Sequence, residues 1–119
     1  MDEATFIRRT TELAVAVVKI ADGLPKTRSS DVIARQVIRS ATSVAANYRA
    51  SCRARSVAEI IAKLGIVEEE ADETLYWLEL LVSVGAISEE RARPLIQETD
   101  EIVRMTVASK RTLKNRRSG

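Results

Sequence analysis

The sequence contains no histidine and only one cysteine, and aromatic residues make up just 3% of it. Without histidine the chain cannot build a serine-type catalytic triad, a Cys2His2 zinc finger or a Glu-x-x-His di-iron site, and it lacks the commonest general base. It also has no glycine-rich phosphate loop. These absences argue against catalysis by this chain alone, and we predict neither a metal nor a cofactor.

The single cysteine, Cys52, has no partner for an intrachain disulfide, which is typical of a reducing cytoplasm. It lies near the end of an arginine-rich segment, a setting that can lower the pKa of a thiol. Because no partner base accompanies it, we interpret Cys52 as an incidental thiol.

Long hydrophobic runs are also absent. The apolar run at 13–18 ends at Lys19, far short of the roughly 20 residues that cross a bilayer. The start Met1-Asp2-Glu3 lacks the basic residues of a signal peptide. Charged residues make up 30% of the sequence, with 19 Lys and Arg against 17 Asp and Glu. We therefore expect one soluble cytoplasmic domain with no membrane contact.

Glycine and proline are scarce, and they divide the chain into long helical stretches. The predicted helices cover about 3–22, 30–53, 57–84 and 89–113, and a basic tail covers 110–119. Ser29 and Ser30 are candidate N-caps of the second helix. Ser56 and Glu59 form a predicted capping box at the start of the third, and Gly85 supplies the left-handed residue that closes it.

The fourth helix is predicted to begin at Ser88 as its N-cap and to carry Pro94 soon after. Proline removes a backbone hydrogen bond and presses on the preceding turn, so we expect a kink or a restart there. The last few residues of the basic tail are expected to fray.

Apolar residues recur at alternating steps of four and three, which is the spacing of one helix face. In the third helix this face comprises Ile60, Leu64, Val67, Ala71, Thr74, Leu78 and Leu81. Four such faces joined by short loops predict an all-α, up-and-down antiparallel four-helix bundle around one core.

A second apolar face follows the first three helices. Its members are Ala14, Val18, Ala21, Ala34, Ile38, Ala45, Ile61, Leu75 and Val82. A helix that is apolar on two faces must bury both, so we predict contacts with neighbouring subunits. The alternative is a wide core face that needs no partner. Gly65 favours oligomers, because a glycine inside a helix costs about 1 kcal/mol and is best explained by close approach of another backbone.

Charge is segregated along the chain. Segment 28–55 holds six arginines against Asp31 alone, whereas the third helix carries seven acidic residues against Lys63. The two sets could pair within the bundle or across a subunit seam. Alternatively, the basic residues form a phosphate-binding surface, or simply a solvated face. The candidates for nucleic-acid binding are Arg35, Arg39, Arg49, Arg53, Arg55, Lys110, Arg111, Lys114, Arg116 and Arg117.

Two acidic pairs raise the possibility of an enzyme. Glu70 and Glu73, and likewise Glu98 and Glu101, lie one helical turn apart. All-helical nucleotide pyrophosphatases hold magnesium with such spacing. The pattern is short and the chain is rich in glutamate, so chance matches are expected and this alternative is weak.

Several separated motifs resemble a known family. They are the stretch at 36–49 (QVIRSATSVAANYR), Ala54-Arg55-Ser56, the stretch at 60–66 and the stretch at 70–81. Together they are similar to the four-helix-bundle proteins encoded in intervening sequences of 23S rRNA, from about residue 13 to residue 113. The resemblance implies an up-and-down bundle that assembles as a homo-oligomeric ring, commonly a homopentamer, with no known catalytic activity.

A relative of that family is the accessory variability determinant of diversity-generating retroelements, a pentameric barrel whose basic surface engages nucleic acid and a reverse transcriptase. The resemblance therefore implies a non-enzymatic homo-oligomer that binds RNA or DNA. Its expected partners are further copies of itself, a nucleic acid, and a reverse transcriptase or another protein. A protein-interaction scaffold is the alternative function.

Four residues of the matched motifs are assigned to packing or oligomer contacts: Ser43, Asn47, Gly65 and Trp77. Ser43 is small enough for helices to approach, and its hydroxyl can return to a backbone carbonyl one turn earlier. Asn47 is polar within an apolar pattern, so it either fixes register and partner choice or makes a buried structural hydrogen bond.

Overall fold

The structure of the protein is a computed structural model that describes residues 2–118. It contains four α-helices. Helix α1 spans Glu3–Asp22, α2 spans Arg28–Ser51, α3 spans Val57–Ser83 and α4 spans Glu89–Ser118. No strand occurs within residues 2–118. The predicted all-α class and the number of helices are confirmed. None of these helices combines the length and the apolar character needed to span a membrane.

The helices form a bundle about 51 Å long and about 20 Å across. Helix α3 packs extensively along both α2 and α4, while α1 packs against α2 and more sparsely against α4. Short connections join consecutive helices, so neighbours in sequence run antiparallel. This is the predicted up-and-down arrangement, with α3 as its most enclosed element.

Helix α3 begins and ends at the residues that the sequence predicts. The Ser56 hydroxyl accepts a hydrogen bond from the Glu59 backbone N–H at 3.1 Å. The Glu59 carboxylate accepts from the backbone N–H of Arg55 at 3.3 Å, one residue before the partner that a capping box predicts. Gly85 has a φ of +77°, the predicted left-handed conformation.

The predicted start of α2 is wrong. Thr27 is the N-cap, and its side chain accepts from the Ser30 N–H at 3.1 Å. Thr27 has an extended backbone, which frees its hydroxyl to face the first turn, whereas Ser29 and Ser30 are already helical. The helix also ends at Ser51, before the predicted residue 53.

Helix α4 passes Pro94 without the predicted restart and extends to Ser118 rather than residue 113. Pro94 and Glu90, whose carbonyl loses its helical partner, are both exposed, so water can satisfy that carbonyl. After Pro94 the sequence has no further proline, and its next glycine is Gly119, which lies outside the described residues. The helix therefore continues five residues beyond its predicted end at residue 113.

The core follows the predicted faces. On α3 the buried residues are Leu64, Val67, Ala71, Thr74, Leu78 and Leu81. Threonines occupy several core positions, and each hydroxyl donates to a carbonyl one turn earlier in its own helix, as Thr106 does to Ile102 at 2.7 Å. The Thr74 hydroxyl also lies 2.8 Å from the buried Ser40 hydroxyl, a hydrogen-bonding contact that links α3 to α2. Helices lined with threonine can therefore pack without unpaired polar groups.

The second apolar face divides between the core and the surface. Ala14 and Ala21 are buried within the chain, as the wide-core alternative requires, and the other members are half-buried. No backbone of the described chain closely approaches Gly65: a Cβ built there would meet only the Lys110 Nζ, at 3.9 Å. The close approach predicted at Gly65 is therefore not made inside the bundle.

Candidate nucleic-acid interface

Two of the candidate basic residues are held by carboxylates of α3. Arg39 on α2 donates to Glu70 at 2.9 Å and also to Glu73. Lys110 on α4 donates to Glu68 at 2.8 Å. For Arg39 and Lys110 the charges pair within the bundle, and these bonds tie α2 and α4 to the helix between them.

The Glu73 carboxylate is the most heavily bonded of these acids. It accepts from Arg39 and from the indole N–H of Trp77 at 3.1 Å. These two donors, Arg39 first, lower the pKa of Glu73 below its ordinary value. Trp77 also packs on the core and meets the Tyr76 ring edge-on at 5.0 Å. Trp77 thus contacts the core of the bundle and bonds a carboxylate of its own helix.

Three other candidates remain unpaired. Arg49, Arg53 and Arg55 line a hollow of about 490 Å³ beside the α2–α3 connection, together with Lys63. Glu59 is the one carboxylate in the lining of that hollow, and it bonds the Arg55 backbone. Among residues 2–117, no carboxylate lies within 4.0 Å of the three guanidinium groups. Sequence reasoning missed Lys63 because it is one lysine in an acidic helix.

The tail brings further cations to the same end of the bundle. The last turns of α4 run alongside the start of α3, and Arg116 lines a cavity together with Ile60 and with Cys52 at the end of α2. The exposed basic residues that share this end are Arg49, Arg53, Arg55, Arg111, Lys114, Arg116 and Arg117. We call this set, with the half-buried Lys63, the basic end. Two segments far apart in sequence thus lie at the same end of the bundle.

Arg35 does not join this set. At 1.5 Å per residue it lies roughly 21 Å from Arg49 along α2. It is exposed and faces solvent on the outer side of that helix. Of the ten candidates, the structure therefore gathers seven at the basic end, pairs two with α3 and leaves one remote.

Both acidic pairs that suggested magnesium are engaged by arginine. Arg39 bonds Glu70 and Glu73, as described above. Arg9 on α1 donates to Glu98 at 2.9 Å and lies 3.1 Å from Glu101. Within residues 2–118, no group of three or more acidic or thiol side chains is placed to hold a metal ion. An arginine already occupies the position that a cation would take in each pair.

A second hollow, the end cavity, opens between the four helix termini at the basic end. Its volume is about 540 Å³, and Tyr48 and Cys52 are part of its lining. Burial, and then the nearby Glu3 carboxylate, raise the pKa of the Cys52 thiol. The suggestion from sequence that neighbouring arginines lower this pKa is therefore wrong. Burial also raises the pKa of the Tyr48 hydroxyl.

Comparison with known proteins assigns the chain to a family. The family model described as 23S rRNA-intervening sequence protein matches residues 2–108. The chain belongs to this family. A solved structure from Bacteroides thetaiotaomicron, a protein of unknown function from the S23 ribosomal protein family, is 32% identical and superposes with a TM-score of 0.86. The match covers 93% of this chain and 99% of that one. No curated protein matches the sequence.

The family motif on α2 contains a local hydrogen-bond pair. The Asn47 amide donates to the Ser43 carbonyl at 3.0 Å and to the Ser43 hydroxyl at 2.9 Å. Both residues are half-buried. Ser43 therefore acts as an acceptor here, rather than returning its hydroxyl to an earlier carbonyl. The geometry favours the structural interpretation of Asn47 over partner choice.

Replacing Glu73→Gln tests the bonds between α2 and α3. Because Arg39 lowers the pKa of Glu73 in the folded state, the bond contributes stability above the ordinary glutamate pKa, and that contribution is lost as pH falls. The pair is partly exposed, so we expect a loss of roughly 0.5–1 kcal/mol in unfolding free energy at neutral pH. Urea unfolding should show the loss at pH 7, and it should shrink toward zero below about pH 3.

The matched control is Glu79→Gln, which removes the same charge from an exposed site on α3. It should change stability little at either pH. A loss for the Glu73 variant that is equally large in acid would contradict the ionic origin of this contribution.

Proposed function

We propose that the protein is a non-enzymatic, homo-oligomeric helical bundle that binds nucleic acid through its basic end. The observation that carries the proposal is the meeting of unpaired cations from 49–63 and 111–117 at one end of the bundle. Phosphate backbones bind such clusters by releasing counterions, without needing any catalytic group.

The way charge is distributed over the bundle supports this proposal more strongly than the net charge of the chain does. The formal net charge is only +2. Carboxylates of α3 and α4 neutralise Arg39, Lys110 and Arg9 along the body of the bundle. Near the basic end lie the carboxylates of Asp2, Glu3 and Glu59, fewer than its eight cations, so a local positive potential remains there. Arginine predominates in it, and the planar guanidinium suits phosphate geometry.

The proposal of oligomers rests on the outer face of α3. Val57, Ala58, Ala62 and Ile66 are exposed and adjoin the half-buried Ile61 and Gly65. This apolar face begins beside the basic end, and among residues 2–117 nothing buries its four exposed members. A neighbouring copy packed against it would place several basic ends close together and multiply the phosphate contacts. Five copies in a ring is the number that the family resemblance implies.

Three substitutions test the role of the basic end: Arg49→Gln, Arg53→Gln and Arg55→Gln combined. Fluorescence anisotropy with single-stranded RNA and DNA should show salt-dependent binding by the wild type. In the triple variant, affinity at about 50 mM salt should fall at least tenfold, and the log–log salt slope should become shallower by about 2.

The matched control removes three cations from the opposite end: Lys19→Gln, Lys26→Gln and Arg28→Gln. Its net charge equals that of the first variant, so a comparable loss of affinity would show that general charge, not the basic end, governs binding. If the wild type fails to bind either polymer at low salt, the nucleic-acid proposal is wrong and the scaffold alternative is favoured.

Gly65→Ala tests the α3 face as an oligomer seam. Within one chain the added methyl has room, and alanine should stabilise the helix by roughly 1 kcal/mol. A neighbour's helix packed on Gly65 would be pushed away. Sedimentation should give the wild type a mass that is a multiple of 13.2 kDa. The assembly of the variant should be weaker, so that on dilution it dissociates at a higher protein concentration than the wild type does.

Gln97→Ala, at an exposed helical site on α4, is the control for helix propensity. It should leave the assembly unchanged. A stable 13.2 kDa wild type at micromolar concentration would contradict the oligomer proposal. If the wild type is an oligomer and Gly65→Ala leaves it unchanged, the subunit interface does not include this face of α3.

A further inference from the structure

The end cavity opens on the same surface as the basic end. Cys52 lines the cavity, and the next residue, Arg53, lines the hollow on the other side of the α2–α3 connection. Likewise, Ile60 lines the cavity and its neighbour Glu59 lines the hollow. Arg116 belongs to both the cavity lining and the basic end. A chain of phosphates bound at the basic end would therefore pass the cavity.

The cavity has the size and the lining of a site for a small planar group. Its volume of about 540 Å³ falls within the roughly 300–1,000 Å³ of ordinary ligand pockets. Apolar contacts come from Ile60, Leu64 and Leu113. Hydroxyls come from Tyr48, Ser51, Ser109 and Thr112. The lining thus combines apolar side chains and hydroxyls with two charged groups, Glu3 and Arg116.

An aromatic ring is fixed in the cavity lining. Tyr48 stacks on the buried Phe6 with ring centroids 4.2 Å apart and an interplanar angle of 18°. Phe6 thereby holds one face of the Tyr48 ring in place. Burial raises the pKa of both Tyr48 and Cys52, and the Cys52 thiol lies within hydrogen-bonding reach of the Tyr48 hydroxyl and of the Glu3 carboxylate. Nucleobases are recognised in this way, by an aromatic side chain and by donors and acceptors at their edges.

We propose that the end cavity receives one unpaired nucleobase of a single strand whose phosphates lie on the basic end. The inference rests on the proposed function and deepens it, because it selects unpaired over duplex nucleic acid. In a duplex the bases are stacked and paired, so none can enter the cavity without the cost of extrusion.

Cys52 allows a direct test, because it is the only cysteine of the chain and lines the cavity. The full-length protein is labelled with N-ethylmaleimide alone, with a saturating single-stranded oligonucleotide, and with a saturating duplex of equal charge. At saturation the single strand should slow labelling of Cys52 by at least about fivefold, whereas the duplex should change the rate by less than about twofold.

A second variant fills the cavity without removing a core side chain. Ser109 is exposed on α4 and lines the cavity, so Ser109→Trp should occupy the space and leave the fold intact. We expect this variant to bind duplex as the wild type does and to lose at least about fivefold in affinity for the single strand, the effect of losing one stacked base. As a control for folding, the circular dichroism spectrum of the variant should match that of the wild type.

The outcomes separate this inference from the proposed function. If neither polymer binds, the proposed function itself fails. If both bind and Cys52 is labelled at the same rate in every case, phosphate binding stands and base insertion is wrong. Equal protection by duplex and single strand would mean that a bound polymer merely covers the cavity, which also overturns the inference.

Discussion

The packing of α3 between α2 and α4 is the constraint on which the rest of the structure depends. Its buried face supplies the centre of the core, and its carboxylates bind Arg39 from one neighbour and Lys110 from the other. These bonds engage three of the seven acidic residues of α3, namely Glu68, Glu70 and Glu73. Because the remaining basic residues lie beyond the reach of those carboxylates, positive charge is left at one end. A structural requirement thus produces the surface that we assign to nucleic acid.

Much of the fold could be predicted because helix periodicity and capping are local. The buried positions of α3, the cap at Ser56 and the left-handed Gly85 all follow from residues within one or two turns. The errors arose where several local signals compete. Thr27, Ser29 and Ser30 can all cap a helix, and only the backbone conformation selects Thr27. Pro94 is tolerated because the carbonyl that it frees faces water.

The candidate site was less predictable because it depends on the register between helices. The sequence shows that α2 is basic and α3 acidic, but not that Arg39 meets Glu70 and Glu73 while Arg53 meets no carboxylate. The end cavity has the same origin. Tyr48, Leu64 and Arg116 come from three helices, and no spacing in the sequence relates them. The match to the 23S rRNA-intervening sequence protein family covers most of the bundle, but it ends at residue 108 and leaves the whole basic tail at 110–119 outside it.

The central claim is that one end of the bundle, and not its charge as a whole, meets the nucleic acid. Amide chemical-shift mapping of the full chain with a single-stranded oligonucleotide tests this claim most directly. We expect shifts concentrated at 48–64 and 108–117. Shifts concentrated at 22–31 and 84–93, or spread evenly along the helices, would contradict it.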